Sequence, residues 1–236
     1  AIRAGRVPSF VRREGMRHDL FFIARPDPVA AREEIVSLVS ERLPRHYGVD
    51  PCADIQVFAP VYRGPVGIDA LNEALREALN PSGRAVGSGR LRVGDKLMLV
   101  GRNLHELGVM NGTLLRLLDE VGGDGDDARD EAAAGDAPGT GGGAAEPGGL
   151  LVAVDGGGVV RIPPAEVGQL RLAYACSVHR GQGIELPIAI VVAHAAAGRR
   201  FLSREMLYTA VTRARQATVI VGTPDMVAHA ARTTDA

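Results

Sequence analysis

Polar and apolar positions along this chain follow two different rhythms. Asp27-Pro28 offers an N-cap and a first-turn proline, after which Ile35, Val36, Leu38, Val39 and Leu43 recur at helical spacing until Pro44 and Gly48 end the run. Residues 55–59 (IQVFA) are a short apolar run closed by Pro60, the pattern of a buried strand. Ile68, Leu71, Leu75 and Leu79 then line one face of a second helix, stopped by Asn80-Pro81. Helix, strand, helix is an α/β signature. The rhythm next shifts to short strand-like runs at residues 96–100, 113–118, 150–154 and 159–162, separated by Gly, Asn and Asp, which predict a small β-barrel. Beyond it the α/β pattern resumes, with strands expected at residues 170–175, 188–193 and 217–222 and a helix at about 203–213. The expected organisation is an α/β domain formed by residues 1–89 and 169–236, with a barrel inserted at residues 90–168.

Composition modifies this picture in one place. Residues 122–149 contain no large apolar side chain and are dominated by Gly, Ala and Asp, so they cannot bury enough surface to offset their ordering entropy. A disordered loop is expected there. Its GTGGG stretch lacks the preceding strand and the following GK[ST] that a phosphate-binding loop requires. The loop carries a net charge of −6, against −1 for the whole chain, which leaves the remainder at +5, a mildly basic body compatible with nucleic acid. Cys52 and Cys176 are isolated, so no disulfide framework and no metal site is expected. No apolar run reaches the roughly 18 residues of a membrane span, and the opening residues hold no apolar core of a signal segment. A soluble, cytoplasmic protein is expected, and the opening AIRAGRVPSF reads as part of a longer one.

Two constellations carry candidate chemistry. Between two apolar strands lies the polar turn 177–185, with Ser177, His179, Arg180, Gln182, Glu185 and two glycines, Gly181 and Gly183. Such a turn suits phosphate or base contacts, since glycine lets backbone approach a ligand closely. It reads equally as a polar surface loop with a capping glycine. In MLYTAVTRARQ, Leu207, Ala210 and Val211 make an apolar helix face, while Thr212, Arg213, Arg215 and Gln216 gather at the helix end. Arginine there ordinarily complements the helix dipole. A guanidinium fixed at a domain edge can also reach a phosphate held by a neighbouring domain.

The ordered set of blocks closely resembles the RecD-like superfamily 1 DNA helicases. IRAGRVP is similar to the segment entering their second RecA-like domain, and IQVFAPVYRGPVGIDALNEALREALNP and VGDKLMLVGRNLHELGVMNGT are similar to two blocks that follow. LAYACSVHRGQGIELP resembles their motif V and MLYTAVTRARQ their motif VI, with Arg180-Gly181 where Lys-Ser is commoner and Ile184 where Ser is commoner. The resemblance implies a RecA-like, P-loop-NTPase-type second motor domain with an inserted SH3-like barrel. It implies ATP-driven 5′-to-3′ movement on single-stranded DNA, in the settings of DNA repair and recombination. Arg213 would be the catalytic contact to the γ-phosphate, and Gln182, Gly183 and Glu185 would lie near the nucleotide. Ser177 and His179 would face the DNA, helped by Pro60, Tyr62 and Arg63, with Asn103 and Asn111 contributing from the barrel.

One lysine, Lys96, is present, and it precedes Leu97, so GxxxxGK[ST] does not occur in these residues and no convincing acidic Walker B strand end accompanies it. ATP and Mg²⁺ would therefore need the first RecA-like domain as partner, and this chain alone is expected to be inactive. A stand-alone single-strand-binding module and part of a conjugative relaxase-helicase remain the alternatives. Aromatic residues are few, with no Trp, so base stacking would rest on Tyr62, Phe58 or Tyr208.

Overall fold

The computed structural model describes residues 1–10, 19–122, 148–181 and 183–234. The expected loop at 122–149 therefore lies almost wholly outside the described residues. Two units are distinguished, Ala1–Ser82 with Leu172–Ala236, and Gly83–Arg171.

The first unit begins with a short helical turn, Ile2–Ala4, and strand β1 (Leu20–Ala24). Asp27 then caps α1 (Pro28–Ser37), its carboxylate accepting the Ala30 N–H at 2.8 Å. Pro44 does not end the helical path. It lacks an N–H, and its ring would meet the carbonyl four residues earlier, so the turn over Leu38–Arg42 widens to π geometry and Leu43 N–H bonds to Leu38 O. The path continues through α2 (Leu43–Tyr47) and stops at Gly48 in the left-handed conformation. Fully buried β2 (Ile55–Phe58) and α3 (Ile68–Leu79) follow, the latter burying Ile68, Leu71 and Leu75.

The second unit opens with a small antiparallel pair, β3 (Ala85–Val86) and β4 (Leu91–Arg92). A five-stranded sheet follows, built from β5 (Lys96–Leu99), β6 (Leu114–Val121), β7 (Gly149–Val154), β8 (Gly157–Ile162) and β9 (Leu170–Leu172) in the order β8-β7-β6-β5-β9. The β5–β6, β6–β7 and β7–β8 pairs are antiparallel. Among the described residues this order ends on β8 and β9, and no pairing closes it into a barrel. Leu97, Leu99, Leu117, Val152, Ile162 and Leu170 are its buried apolar positions.

The apolar run 170–175 is not one strand. Its first half is β9, and from Leu172 the chain belongs again to the first unit, which it enters as β10 (Ala175–Cys176). There follow β11 (Leu186–Ala193), α4 (Arg204–Val211), β12 (Ala214–Gly222) and α5 (Pro224–Arg232). The sheet order is β1-β12-β11-β2-β10 and every pairing is parallel. A parallel sheet is covered on both faces, which explains the continuous apolar runs of β11 and β12. Ile188, Ile190, Val192, Val219 and Val221 point to the core beneath α1 and α3. The alternate positions, Ala189, Val191 and Ile220, are buried too, and α4 and α5 pack against β11 and β12.

Candidate functional site

Register in the parallel sheet sorts the candidate residues onto two edges. Cys176 stands opposite Phe58, and the Ala59 N–H donates to Cys176 O at 3.1 Å, so β2 and β10 leave the sheet side by side at its carboxyl edge. Pro60, Tyr62 and Arg63 lie on the loop after β2, and Ser177 and His179 on the turn after β10. The structure therefore brings together these five residues, as ligand-binding loops of α/β sheets are grouped. Pro60 and Ser177 are half-buried, and Tyr62, Arg63 and His179 are exposed. Ser177 shapes its own turn: its carbonyl accepts the Gly181 N–H at 3.1 Å and its Oγ accepts the Arg180 N–H at 3.4 Å.

The segment that starts at Ser177 ends at the opposite edge. Leu186 pairs with Ala214 at the beginnings of β11 and β12, and the Leu186 N–H donates to Arg213 O at 3.1 Å. The segment thus leads from the carboxyl to the amino edge, and it brings Glu185, the neighbour of Leu186, to the Arg213 backbone. Gly183 is exposed with φ +90°, while Gln182 lies outside the described residues. Helix α4 ends at Val211, short of Arg213, whose Nε donates to Thr209 O at 3.2 Å. The two terminal guanidinium nitrogens have no partner among the described residues, so they are available to an anion.

Arg215 is not at the helix end, where the apolar pattern gathers it with Arg213. It stands in β12, where its Nε and one terminal nitrogen donate to Glu185 Oε2 at 3.2 and 2.9 Å. Both side chains are more than half exposed, so the pair adds little stability, but it fixes where the carboxylate stands. The pair is hidden from the sequence because it depends on a strand that starts three residues earlier than the apolar pattern suggests. Of the three aromatic candidates for stacking, Phe58, at 1% exposure, belongs to the core and cannot stack on a base. Tyr62 and Tyr208, at 46% and 40%, remain open.

In the second unit, Asn103 and Asn111 sit on the exposed loop between β5 and β6. Asn103 Oδ1 accepts the Asn111 N–H at 2.7 Å, and Asn111 Oδ1 accepts the Gly101 N–H at 3.5 Å. Both carboxamide oxygens thereby close the loop, and the NH₂ groups have no partner among the described residues. Close by in the same unit, Arg102 and Gln169 both reach the largely buried carboxylate of Glu166, which holds the Arg102 guanidinium above its ordinary value, chiefly by that hydrogen bond. Among the described residues no group of three or more His, Cys, Asp or Glu could hold a metal ion, and no helix is long and apolar enough to cross a membrane.

Residues 172–230, which hold β10 to most of α5 with Ser177, His179, Glu185 and Arg213, match the family model for the UvrD-like helicase C-terminal domain. The match supports a C-terminal domain of the RecD-like superfamily 1 helicase type. The ATP-dependent RecD2 DNA helicase of Deinococcus radiodurans is 35% identical over 163 residues, 68% of this chain and 19% of that protein. The chain thus spans about a fifth of that relative's length. Among solved structures, the Pif1 helicase from Candida albicans is similar at 17% identity, covering 81% of this chain and 49% of its own, with a TM-score of 0.43. The Bacteroides Pif1 helicase in complex with ADP-AlF3 and ssDNA is similar at 15% identity, covering 83% and 49%, with a TM-score of 0.44. Likenesses this distant leave the fold resting on the strand pairings given above.

Proposed function

We propose that this chain is the second motor domain of an ATP-dependent DNA helicase that moves 5′-to-3′ along a single strand. The observation that supports this reading is the bond from Leu186 N–H to Arg213 O, which joins the end of the Ser177–Glu185 segment to the Arg213 backbone at one sheet edge. ATP would lie at that edge, between this domain and the first RecA-like domain of the same protein, which would supply the Walker A and B residues and the Mg²⁺ site. Arg213 is tethered through Nε, and its two terminal nitrogens would be the donors to the γ-phosphate. Gln182, Gly183 and Glu185 would border the nucleotide. At the other edge, Ser177, His179, Pro60, Tyr62 and Arg63 would receive the DNA strand. The inserted sheet would be the counterpart of an SH3-like barrel, with the carboxamide NH₂ groups of Asn103 and Asn111 offered to the DNA. A cytoplasmic setting and a role in DNA repair or recombination accompany the reading.

The test is DNA-stimulated ATP turnover by the protein joined to its first motor domain. Arg213→Ala should lower turnover by roughly 10³ to 10⁵ with melting barely changed. Arg213→Lys should rescue poorly, because an ammonium lacks the forked donor geometry. The 236-residue chain by itself should release no phosphate. Wild-type turnover in Arg213→Ala would remove this residue from the reaction. Arg215→Ala is not a neutral control, since it releases Glu185.

A further inference from the structure

Phe201 is the most exposed aromatic side chain among the described residues, at 56%, and folding does not explain it. Its loop is built to hold it. Gly198 has φ +79°, and a Cβ there would come within 3.1 Å of the Phe201 ring, so glycine both makes the turn and lets the ring lie against the backbone. The His229 Nε2 donates to Arg199 O at 3.0 Å and pins the loop to α5. Upstream, the buried His194 ring bridges Pro26 O at 2.9 Å and the Ala196 N–H at 3.0 Å. The loop follows β11, which lies beside β2 in the sheet, and a Cβ at Gly64 would be 3.7 Å from Ala196 O. It therefore adjoins the loop that carries Tyr62 and Arg63.

Charge favours one kind of occupant. Arg63, Arg180, Arg199 and Arg200 stand on the loops of this edge, and Arg200 is exposed with no partner among the described residues. Arg199 reaches Asp225 at 3.5 Å with both side chains 57% exposed, a pair that solvent weakens. The acids nearby, Asp27, Asp69 and Asp225, each sit at a helix N-terminus, where the helix dipole offsets their charge.

We propose that Phe201 and Arg200 form a further station for single-stranded nucleic acid, Phe201 stacking on a base and Arg200 meeting a phosphate, beside the Tyr62–Arg63 loop. The proposal rests on the nucleic-acid reading given above and extends it to a loop that reading does not include. Aromatic faces beside guanidinium groups are the common means of holding single strands without sequence preference.

The test is binding of a labelled oligothymidylate to the whole chain, followed by fluorescence anisotropy over a range of salt. Phe201→Ala should weaken binding by roughly 5- to 100-fold, the range for one lost stack, whereas Phe201→Tyr should bind like wild type. Arg200→Ala should reduce the slope of log affinity against log salt by about 0.7, the share of one single-strand phosphate. If wild type binds no oligonucleotide at low salt, the nucleic-acid reading itself fails and this proposal falls with it. If Tyr62→Ala weakens binding while Phe201→Ala does not, the reading stands and the proposal is overturned. It is overturned equally if Phe201→Ala binds normally but turns an oligomer into a monomer by light scattering, for then the occupant is a second copy.

Discussion

At position 181 the turn that crosses the sheet leaves room only for hydrogen. A Cβ there would lie 2.4 Å from Cε1 of Phe58, a ring that is itself buried in the core. Serine is the commoner residue at this place in the resemblance, and Phe58 is the physical reason for glycine here. Gly181→Ser should destabilise by about 1 to 3 kcal/mol, the range for overpacking. In urea melts, the double variant with Phe58→Leu, which vacates the space, should lose less than the sum of the two single losses. Strict additivity would show that the contact does not shape the turn. Single residues differ in how far the sequence reveals them. Arg213, Ser177 and His179 can be singled out because their chemistry shows in the letters. Phe58 cannot, because whether a ring at a strand end faces core or solvent is decided by the element opposite. Phe201 is equally hidden, because an apolar letter between strand and helix carries no local pattern.

Element by element, the clearest case is β10, a two-residue strand at the edge of the sheet. Tyr174 and Cys176 turn their carbonyls to β2, accepting N–H groups of Val57 and Ala59, so the backbone of Ala175 faces outward with no strand beside it. Asn72 on α3 substitutes for the absent strand: its Oδ1 accepts the Ala175 N–H at 2.9 Å, and its Nδ2 donates to Ala175 O at 3.0 Å. A buried amide used in this way satisfies both backbone groups at once. Asn72→Leu should cost roughly 1 to 3 kcal/mol for each group left unpaired, and faster amide hydrogen exchange at Ala175 should accompany it. Because β10 leads directly to Ser177, oligonucleotide binding should fall as well. Unchanged exchange at Ala175 would show that the clamp is dispensable. The long helices and central strands are legible in the sequence, since their period repeats over many residues. Asn72 itself is a signal, a polar side chain adjoining Leu71 and Leu75 on the buried face. Harder to read are β1, a five-residue apolar run too short to repeat its period, and α5, although Thr223-Pro224 and the spacing of Met226, Val227, Ala230 and Ala231 mark it. The division of 170–175 between two sheets is not legible, because no turn residue separates the part in one sheet from the part in the other.

For the molecule as a whole, the proposed function assigns roles to the two edges of the parallel sheet and to the insertion, and the insertion has a segment that its flanking strands do not require. The last residue pair of β6 and β7 is Val121 with Gly149, neighbours across an antiparallel ladder. The intervening stretch therefore needs only to turn the chain, which a few residues can do. Replacing residues 123–147 with a short Gly-Ser turn should leave the fold intact, since closure entropy changes by about 0.6 kcal/mol per doubling of length and the shorter loop costs less. The melting temperature should hold or rise slightly, and a large fall would show that the acidic segment packs on the domain. Charge gives a second readout. Residues 122–149 carry a net −6 against +5 for the rest, so the shortened chain is basic and should bind a single strand more tightly at low salt. That gain should fade as salt rises, because screening removes the difference in long-range charge. Equal affinity of the two chains at low salt would mean that the acidic segment does not act on single-strand binding.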